Sequence, residues 1–162
     1  MRNVAKGLSA NRGIQFRLTF DGIGGITAHM AATDLNQLMS PLTKRSFRFV
    51  ALDVETASRE PGSICQIGLG CAANNGSVLT WSCYVDPQTD FAPFNTELHG
   101  ISAQTVANAP TFPELWVVLA PFLARHPLVQ HSRFDEKAIA AACKLYGLAV
   151  PPWYWTDSIA VA

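Results

Sequence analysis

The stretch FVALDVET, from Phe49 to Thr56, decides the fold of this chain. It predicts a hydrophobic strand whose two apolar faces are typical of a central strand covered on both sides. Because successive side chains of a strand point to opposite faces, Asp53 and Glu55 point the same way. Two like charges held at the end of a buried strand favour a divalent cation between them. For such a pair alone, a solvated strand edge is the alternative interpretation.

Two further strand-like runs follow this stretch. They extend from Ser63 to Ala72 and from Ser77 to Val85, and an Asn-Asn-Gly turn lies between them. This arrangement predicts an antiparallel meander. The polar residues from Asp86 to Thr96 then predict a loop, and a short helix is expected from Ser102 to Ala107.

The C-terminal half predicts two longer helices and a short strand. Thr111 and Glu114 have the spacing of a capping box at the start of the first helix. The run Leu128 to Gln130 predicts the strand, and residues 136–148 predict the second helix. Asp135 therefore stands at a strand-to-helix junction, where α/β sheets collect their functional sites. If this strand neighbours the first one, three acids meet at one end of the sheet.

Residues 1–47 are predicted to form a separate N-terminal part, and residues 48–162 the main domain. Alternating apolar and polar residues, a glycine-rich turn and a second short strand-like run predict a hairpin near the N-terminus. A helix from Leu35 to Leu42, capped by Thr33 or Asp34, would complete a small ββα element.

Composition and charge narrow the class of protein. Apolar residues make up 49% of the chain, which argues against disorder. No apolar run is long enough to span a membrane and the N-terminus lacks a secretory signal, so a cytoplasmic location is expected. The four cysteines lack metal-ligand spacing and are expected to be reduced core residues. Residues 1–48 carry a net charge of +5 and the remainder −5, which suits a polyanionic partner, with a solvated surface as the alternative.

Four motifs, in order, resemble the DEDD-type, DnaQ-like superfamily of 3′-5′ exonucleases, and in particular its DEDDh branch. They are VALDVETASREPGSICQ from Val50, LHGI from Leu98, VANAPTF from Val106 and LVQHSRFD from Leu128. The superfamily includes proofreading subunits such as DNA polymerase III epsilon. The resemblance covers roughly residues 48–160 and implies an RNase H-like α/β fold. Such a fold has a mixed sheet, with three antiparallel strands plus parallel strands, flanked by helices.

The resemblance implies a metal-dependent exonuclease that releases nucleoside 5′-monophosphates from the 3′ ends of single-stranded DNA or RNA. Asp53, Glu55 and Asp135 would be its catalytic residues and would hold two Mg²⁺ or Mn²⁺ ions. Asp53 would bridge both ions, Glu55 would hold the ion that activates water, and Asp135 would serve the second ion. Whether the substrate is DNA or RNA, and whether the role is proofreading, repair or RNA processing, stays open.

The resemblance also implies a set of residues that contact the terminal nucleotide: Thr56, Ala57, His99, Gly100 and Ile101. For His99, a structural role in its loop is an equal alternative. His131 would brace the loop before Asp135, and Phe134 is expected in the core rather than against a base.

One departure from the family concerns its third motif, a His followed five residues later by an Asp. The motif is expected well past Asp135 and does not occur in this sequence. Asp157 is expected to be structural rather than a metal ligand. The chain is therefore expected to be truncated at its C-terminus and weak or inactive alone, with full activity in a longer chain. The alternative function is an inactive nucleic-acid or protein binding module of the same fold. A homo-oligomer or a replication or repair partner stays open, and no membrane is expected.

Overall fold

A computed structural model describes residues 32–161 of the chain, and the side chains of residues 35–159. The predicted N-terminal hairpin lies outside the described residues. The elements are α1 (Ala32–Thr43), β1 (Phe49–Thr56), β2 (Ile64–Ala72), β3 (Val78–Tyr84), α2 (Pro93–His99), α3 (Ala103–Val106), α4 (Phe112–Leu123), β4 (Leu128–Gln130), α5 (Phe134–Leu145), β5 (Trp155–Asp157) and a final 3-10 turn (Ser158–Val161). Within residues 32–161, no helix is long and apolar enough to cross a membrane.

The five strands form one mixed sheet with the order β3-β2-β1-β4-β5. Strands β1, β2 and β3 pair antiparallel, as the meander prediction requires. Strand β4 lies parallel to β1, and β5 lies parallel to β4. The prediction of three antiparallel strands plus parallel strands is therefore confirmed, and β1 is the central strand.

The hydrophobic core lies on one face of this sheet. Val50, Leu52 and Val54 of β1 are buried there, in one cluster with the apolar residues of α1, α4 and α5. On the opposite face Asp53 is exposed and Glu55 is half-buried. The prediction that β1 is covered on both sides is thus wrong, since burial alternates along the strand and Phe49, Ala51, Asp53 and Glu55 on this face are half-buried or exposed.

Helix α1 belongs to this core. Leu35, Met39 and Leu42 are buried, and the indole N–H of Trp81 in β3 donates a hydrogen bond of 3.1 Å to the Leu38 carbonyl. The helix therefore shares its core with the main domain, although the sequence placed it in a separate N-terminal part. How residues 1–31 divide from the rest of the chain stays a prediction.

Two segments differ from their predicted local structure. Helix α1 begins at Ala32, three residues before the predicted start at Leu35, so Thr33 and Asp34 lie within the helix and not ahead of it. Helix α2 begins at Pro93, in the second half of the segment predicted as a loop. Proline is favoured in the first turn of a helix, because the N–H that it lacks has no partner there.

The start of α4 follows the prediction, whereas α5 begins at Phe134 and ends at Leu145 instead of covering residues 136–148. The Glu114 carboxylate accepts the backbone N–H and the hydroxyl of Thr111, both at 2.8 Å, which closes the predicted capping box. Gly147 has a φ of +65°, and its N–H donates to the Lys144 carbonyl just past α5. The glycine thus ends the helix in the left-handed conformation that residues with a Cβ rarely adopt.

The four cysteines are free thiols and all four are buried, as expected for core residues: Cys65, Cys71, Cys83 and Cys143.

Candidate active site

The end of β1 presents two carboxylates on the open face of the sheet. Asp53 lies opposite Gly68 of β2 and Glu55 lies opposite Gln66, so no side chain from β2 stands over Asp53. Partial burial raises the pKa of Asp53. The pKa of Glu55 is also raised, by burial first and then by the negative charge of Asp53. The expectation that both acids lie on one face is confirmed.

Asp135 joins this pair from the first turn of α5. It is 4% exposed, and its Oδ1 accepts the backbone N–H of Val54 at 3.0 Å. Four residues earlier in β1, the N–H of Val50 donates to the Pro127 carbonyl beside β4. Because β4 ends at Gln130, the Asp135 carboxylate takes over as the hydrogen-bond acceptor for the last part of β1.

The three acids are electrostatically coupled. Burial is the largest influence on the pKa of Asp135 and raises it, outweighing the hydrogen bond from Val54, which lowers it. The negative charges of Asp53 and Glu55 also raise it, and together these effects bring the pKa from 3.8 to about 6. Each ionised carboxylate therefore makes the next one harder to ionise, and a bound cation would reverse this effect.

The chemistry of these three side chains fits a hard divalent cation, since Mg²⁺ and Mn²⁺ prefer carboxylate oxygens. Among the described residues, however, no group of three Asp, Glu, His or Cys side chains has an arrangement that could hold a metal ion. The metal site therefore stays a prediction, supported by charge and donor type rather than by coordination geometry.

Helix α2 is fixed to the end of β1 by two polar side chains one turn apart. The Asn95 Nδ2 donates to the Thr56 carbonyl at 2.9 Å and to the Ser58 carbonyl at 3.2 Å. Nε2 of His99 lies 3.1 Å from the Thr56 carbonyl, and Nδ1 of His99 accepts the N–H of Ile101 at 3.0 Å. Because Nδ1 must accept, the proton is on Nε2. Both ring nitrogens of His99 are thus bound to backbone, which favours the structural role considered for it.

The remaining residues of the predicted substrate set differ in accessibility. Ala57, Ile101 and Thr56 are buried, so their side chains offer little surface to a ligand. Gly100 is exposed and has a φ of +77°. Their contact with a nucleotide stays a prediction, and backbone atoms would have to carry much of it.

The same helix exposes two apolar side chains that the sequence analysis did not select. Phe94 and Leu98 are 69% and 72% exposed, one helical turn apart. They were missed because the segment was predicted as a loop up to Thr96. Helical spacing of i and i+4, applied to Phe94 and Leu98, is the signal that could have found them.

The turn between β4 and α5 carries two further residues with stated expectations. Nδ1 of His131 lies 2.9 Å from the Ser158 hydroxyl, which agrees with the predicted bracing role. Phe134 is 44% exposed, so its expected place in the core is wrong. It occupies the first position of α5, where the helix is still outside the packed cluster.

Comparison with known proteins agrees with this architecture. A family model described as an exonuclease matches residues 50–160. A DNA polymerase III of the PolC type from Caldanaerobacter subterraneus subsp. tengcongensis is 33% identical over 105 residues. That match spans 63% of this chain and 8% of the polymerase, so the chain corresponds to a small part of its relative.

Solved nuclease structures share the fold at low sequence identity. E. coli exonuclease I in complex with an oligonucleotide has a TM-score of 0.63 at 14% identity, over 72% of this chain and 29% of that one. Cell-death related nuclease 4 has a TM-score of 0.57 at 21% identity, and the match covers 66% of this chain and 43% of that one. These likenesses confirm the predicted RNase H-like fold. Since the exonuclease model covers most of the described residues and the motifs agree with it, the chain belongs to the exonuclease family, within the DnaQ-like superfamily that its motifs predict.

Proposed function

We propose that this chain is the nuclease domain of a metal-dependent 3′-5′ exonuclease that acts on single-stranded DNA or RNA. The products would be nucleoside 5′-monophosphates. The observation that carries the proposal is the coupling of three acids, two at the end of β1 and one in the first turn of α5. Burial raises the pKa of Asp53, Glu55 and Asp135, and the negative charge of Asp53 adds to the increase for the other two. Such perturbed acids in one place are typical of functional sites.

Asp53, Glu55 and Asp135 would hold Mg²⁺ or Mn²⁺ ions. When bound, two such ions supply an activated water and neutralise charge on the phosphate and the leaving 3′ oxygen. The chain itself contributes the ionised carboxylates and their positions. The Val54 N–H fixes one oxygen of Asp135. Asn95 and His99 fix the Thr56 carbonyl, one residue beyond Glu55.

The exposed surface of α2 would contact the nucleic acid. Phe94 and Leu98 project from the helix that Asn95 and His99 fix beside Glu55. Aromatic side chains stack on bases of any sequence, which suits an enzyme that removes successive nucleotides from single strands. This surface is the reason for preferring single-stranded ends as the substrate.

An inactive nucleic-acid or protein binding module is the second candidate function. It is favoured by one observation: in the described part of the chain, no three acid, His or Cys side chains have an arrangement that could hold a metal ion. The two candidates share the fold and differ in turnover.

The test measures Mn²⁺-dependent release of mononucleotides, by this chain and by a longer chain that includes it, from oligomers labelled at the 3′ or the 5′ end. Release should begin at the 3′ label, and Asp53→Asn should reduce it by more than about 100-fold. This estimate reflects that losing a direct ligand exceeds the 10- to 100-fold cost typical of outer-shell partners. The matched control is Asp90→Asn, which removes an exposed loop carboxylate.

Turnover that survives Asp53→Asn would contradict the proposal. So would release of the 5′ label first, which would indicate the opposite polarity. Binding of the oligomer without release by either chain, unchanged in Asp53→Asn, would support the inactive module instead.

A further inference from the structure

The turn between β4 and α5 has an unfavourable backbone conformation. Ser132 has a φ of +76°, which a residue with a Cβ rarely adopts. Its N–H donates to Oδ1 of Asp157 at 3.2 Å, and its hydroxyl accepts the N–H of Phe134 at 3.3 Å. The turn is therefore held in place by hydrogen bonds rather than by the preference of its own residue.

Asp157 supplies the long-range part of this support. It is the last residue of β5 and lies beside Gln130, the last residue of β4. Besides the Ser132 N–H, its Oδ1 accepts the N–H of Ile159 at 3.0 Å. One carboxylate oxygen thus joins the turn after β4 to the turn after β5.

A second residue fixes the other side of the turn. Gln130 is 3% exposed, its Oε1 accepts the N–H of Glu136 at 3.0 Å, and its Nε2 donates to the Glu136 carboxylate at 3.3 Å. Asp135 lies between the two supports, three residues after Ser132 and one before Glu136. The Asp135 carboxylate, which accepts the Val54 N–H, is thus carried by a segment that is held on both sides.

We propose that Asp157 is a positioning residue, which locks the β4–α5 turn through the Ser132 N–H and so holds the Asp135 carboxylate against β1. This proposal deepens the proposed nuclease function and rests on it for its meaning in catalysis. Oδ1 of Asp157 accepts two backbone N–H groups, so its hydrogen bonds are structural. It thus acts on the acid site through Asp135, in the manner of outer-shell residues that orient ligands.

The first experiment measures amide hydrogen exchange in the metal-free chain. In Asp157→Ala the Val54 amide should exchange at least about 10-fold faster, relative to the Leu69 amide in the middle of β2. In Asp157→Asn its rate should match the parent, because the amide oxygen of Asn can accept both N–H groups. Asp90→Ala, which removes an exposed acid, serves as the control.

The second experiment measures the Mn²⁺ concentration that gives half-maximal nuclease activity. It should rise by about 10- to 100-fold in Asp157→Ala, the range typical of outer-shell partners, and stay near the parent value in Asp157→Asn. Loss of activity in Asp157→Asn with normal Val54 exchange would show that the charge is needed and would overturn the proposal.

Unchanged Val54 exchange in a folded Asp157→Ala would also overturn it. Should Asp157→Ala not fold, Asp157→Glu replaces it, since the longer side chain displaces the acceptor oxygen. The exchange experiment separates the two proposals, because it needs no turnover and so tests the role of Asp157 whether or not the chain proves to be a nuclease.

Discussion

The two ends of β1 are held by different forces. At its start, Phe47 and Phe122 are buried with their ring centroids 6.1 Å apart, and α1 and α4 complete an apolar environment. At its end, hydrogen bonds from Asn95 and His99 and to Asp135 hold the backbone. The comparison indicates that burial of apolar surface at the start stabilises the fold, while the end tolerates acids that destabilise one another.

A folded domain can keep acids that repel one another at one end of a strand if burial of apolar surface elsewhere stabilises the fold enough. Destabilising arrangements of charge are common where they serve a function, and removing them often stabilises the protein. The start and the end of β1 should therefore respond to substitution in opposite directions. The following predictions test that difference.

The largest loss of stability is expected at the start of β1. Phe122→Ala should lower the free energy of unfolding by about 3–5 kcal/mol, because it leaves a cavity beneath the sheet. Urea denaturation would measure it. Val117→Ala on the same helix is the control, since Val117 is 72% exposed and its truncation should cost less than about 0.5 kcal/mol. A loss of less than about 1 kcal/mol in Phe122→Ala would contradict the comparison.

Asp135→Asn should stabilise the metal-free chain. The pKa of Asp135 is raised to about 6 from 3.8, so the folded state binds this proton more tightly than the unfolded state. The stability that the proton gives is complete below about pH 4 and is lost as the pH rises through about 6. Asparagine mimics the protonated form and can still accept the Val54 N–H. The variant should therefore be more stable than the parent by about 2 kcal/mol above pH 7, and nearly equal at pH 4.

Denaturation in a chelator at several pH values checks this prediction, with Asp90→Asn as the control. Added Mn²⁺ should then stabilise the parent more than the variant, because the proposed ligand is missing from the variant. Equal stabilities of parent and variant across this pH range would show that Asp135 ionises as freely as in the unfolded chain.

Phe94→Ala should weaken binding of a single-stranded oligonucleotide by about 1–3 kcal/mol, the usual value for one base stacked on an aromatic ring. Its effect on stability should be small, since the side chain is 69% exposed. Tyr154→Ala is the matched control, because Tyr154 is an aromatic residue that is 93% exposed. Fluorescence anisotropy would measure both. An equal loss in the two variants would argue against a specific role for α2.

The smallest effect is expected at Ser132. Asparagine tolerates positive φ better than serine, so Ser132→Asn should stabilise the chain by a few tenths of a kcal/mol. Ser132→Ala should instead destabilise it, since the Phe134 N–H would lose its acceptor. Careful chemical denaturation can resolve the opposite signs. A destabilised Ser132→Asn would show that the turn is constrained by more than its own φ.

Local patterns in the sequence predicted much of this fold. The apolar run predicted β1 with the bounds that the structure has. The spacing of Thr111 and Glu114 correctly predicted where α4 begins. Helix α2 was missed because its proline and polar residues are also typical of loops. Strand β5 has three residues, and its pairing with β4 depends on the whole sheet rather than on its own sequence.

The candidate site divides in the same way. The motifs selected Asp53, Glu55 and Asp135. In the structure, the Asp135 carboxylate accepts a backbone N–H of the strand that carries the other two. The supports of that site could not be predicted. Asn95 bonds a carbonyl 39 residues away, and Asp157 bonds an N–H 25 residues away. Such side chain-to-backbone contacts leave no periodic pattern, because they depend on how distant segments meet.

The reactivity of the buried cysteines can report local unfolding of the strands that carry them. Burial raises the pKa of Cys65 and Cys83 to about 12 and that of Cys71 to about 11. Only a thiolate reacts readily with maleimides or oxidants, so these thiols are protected twice, by exclusion of the reagent and by retention of the proton. Cys65 lies near the end of β1 that carries the acids, whereas Cys71 pairs with Val50 near its start. Their relative labelling rates would therefore show which end of the strand opens first.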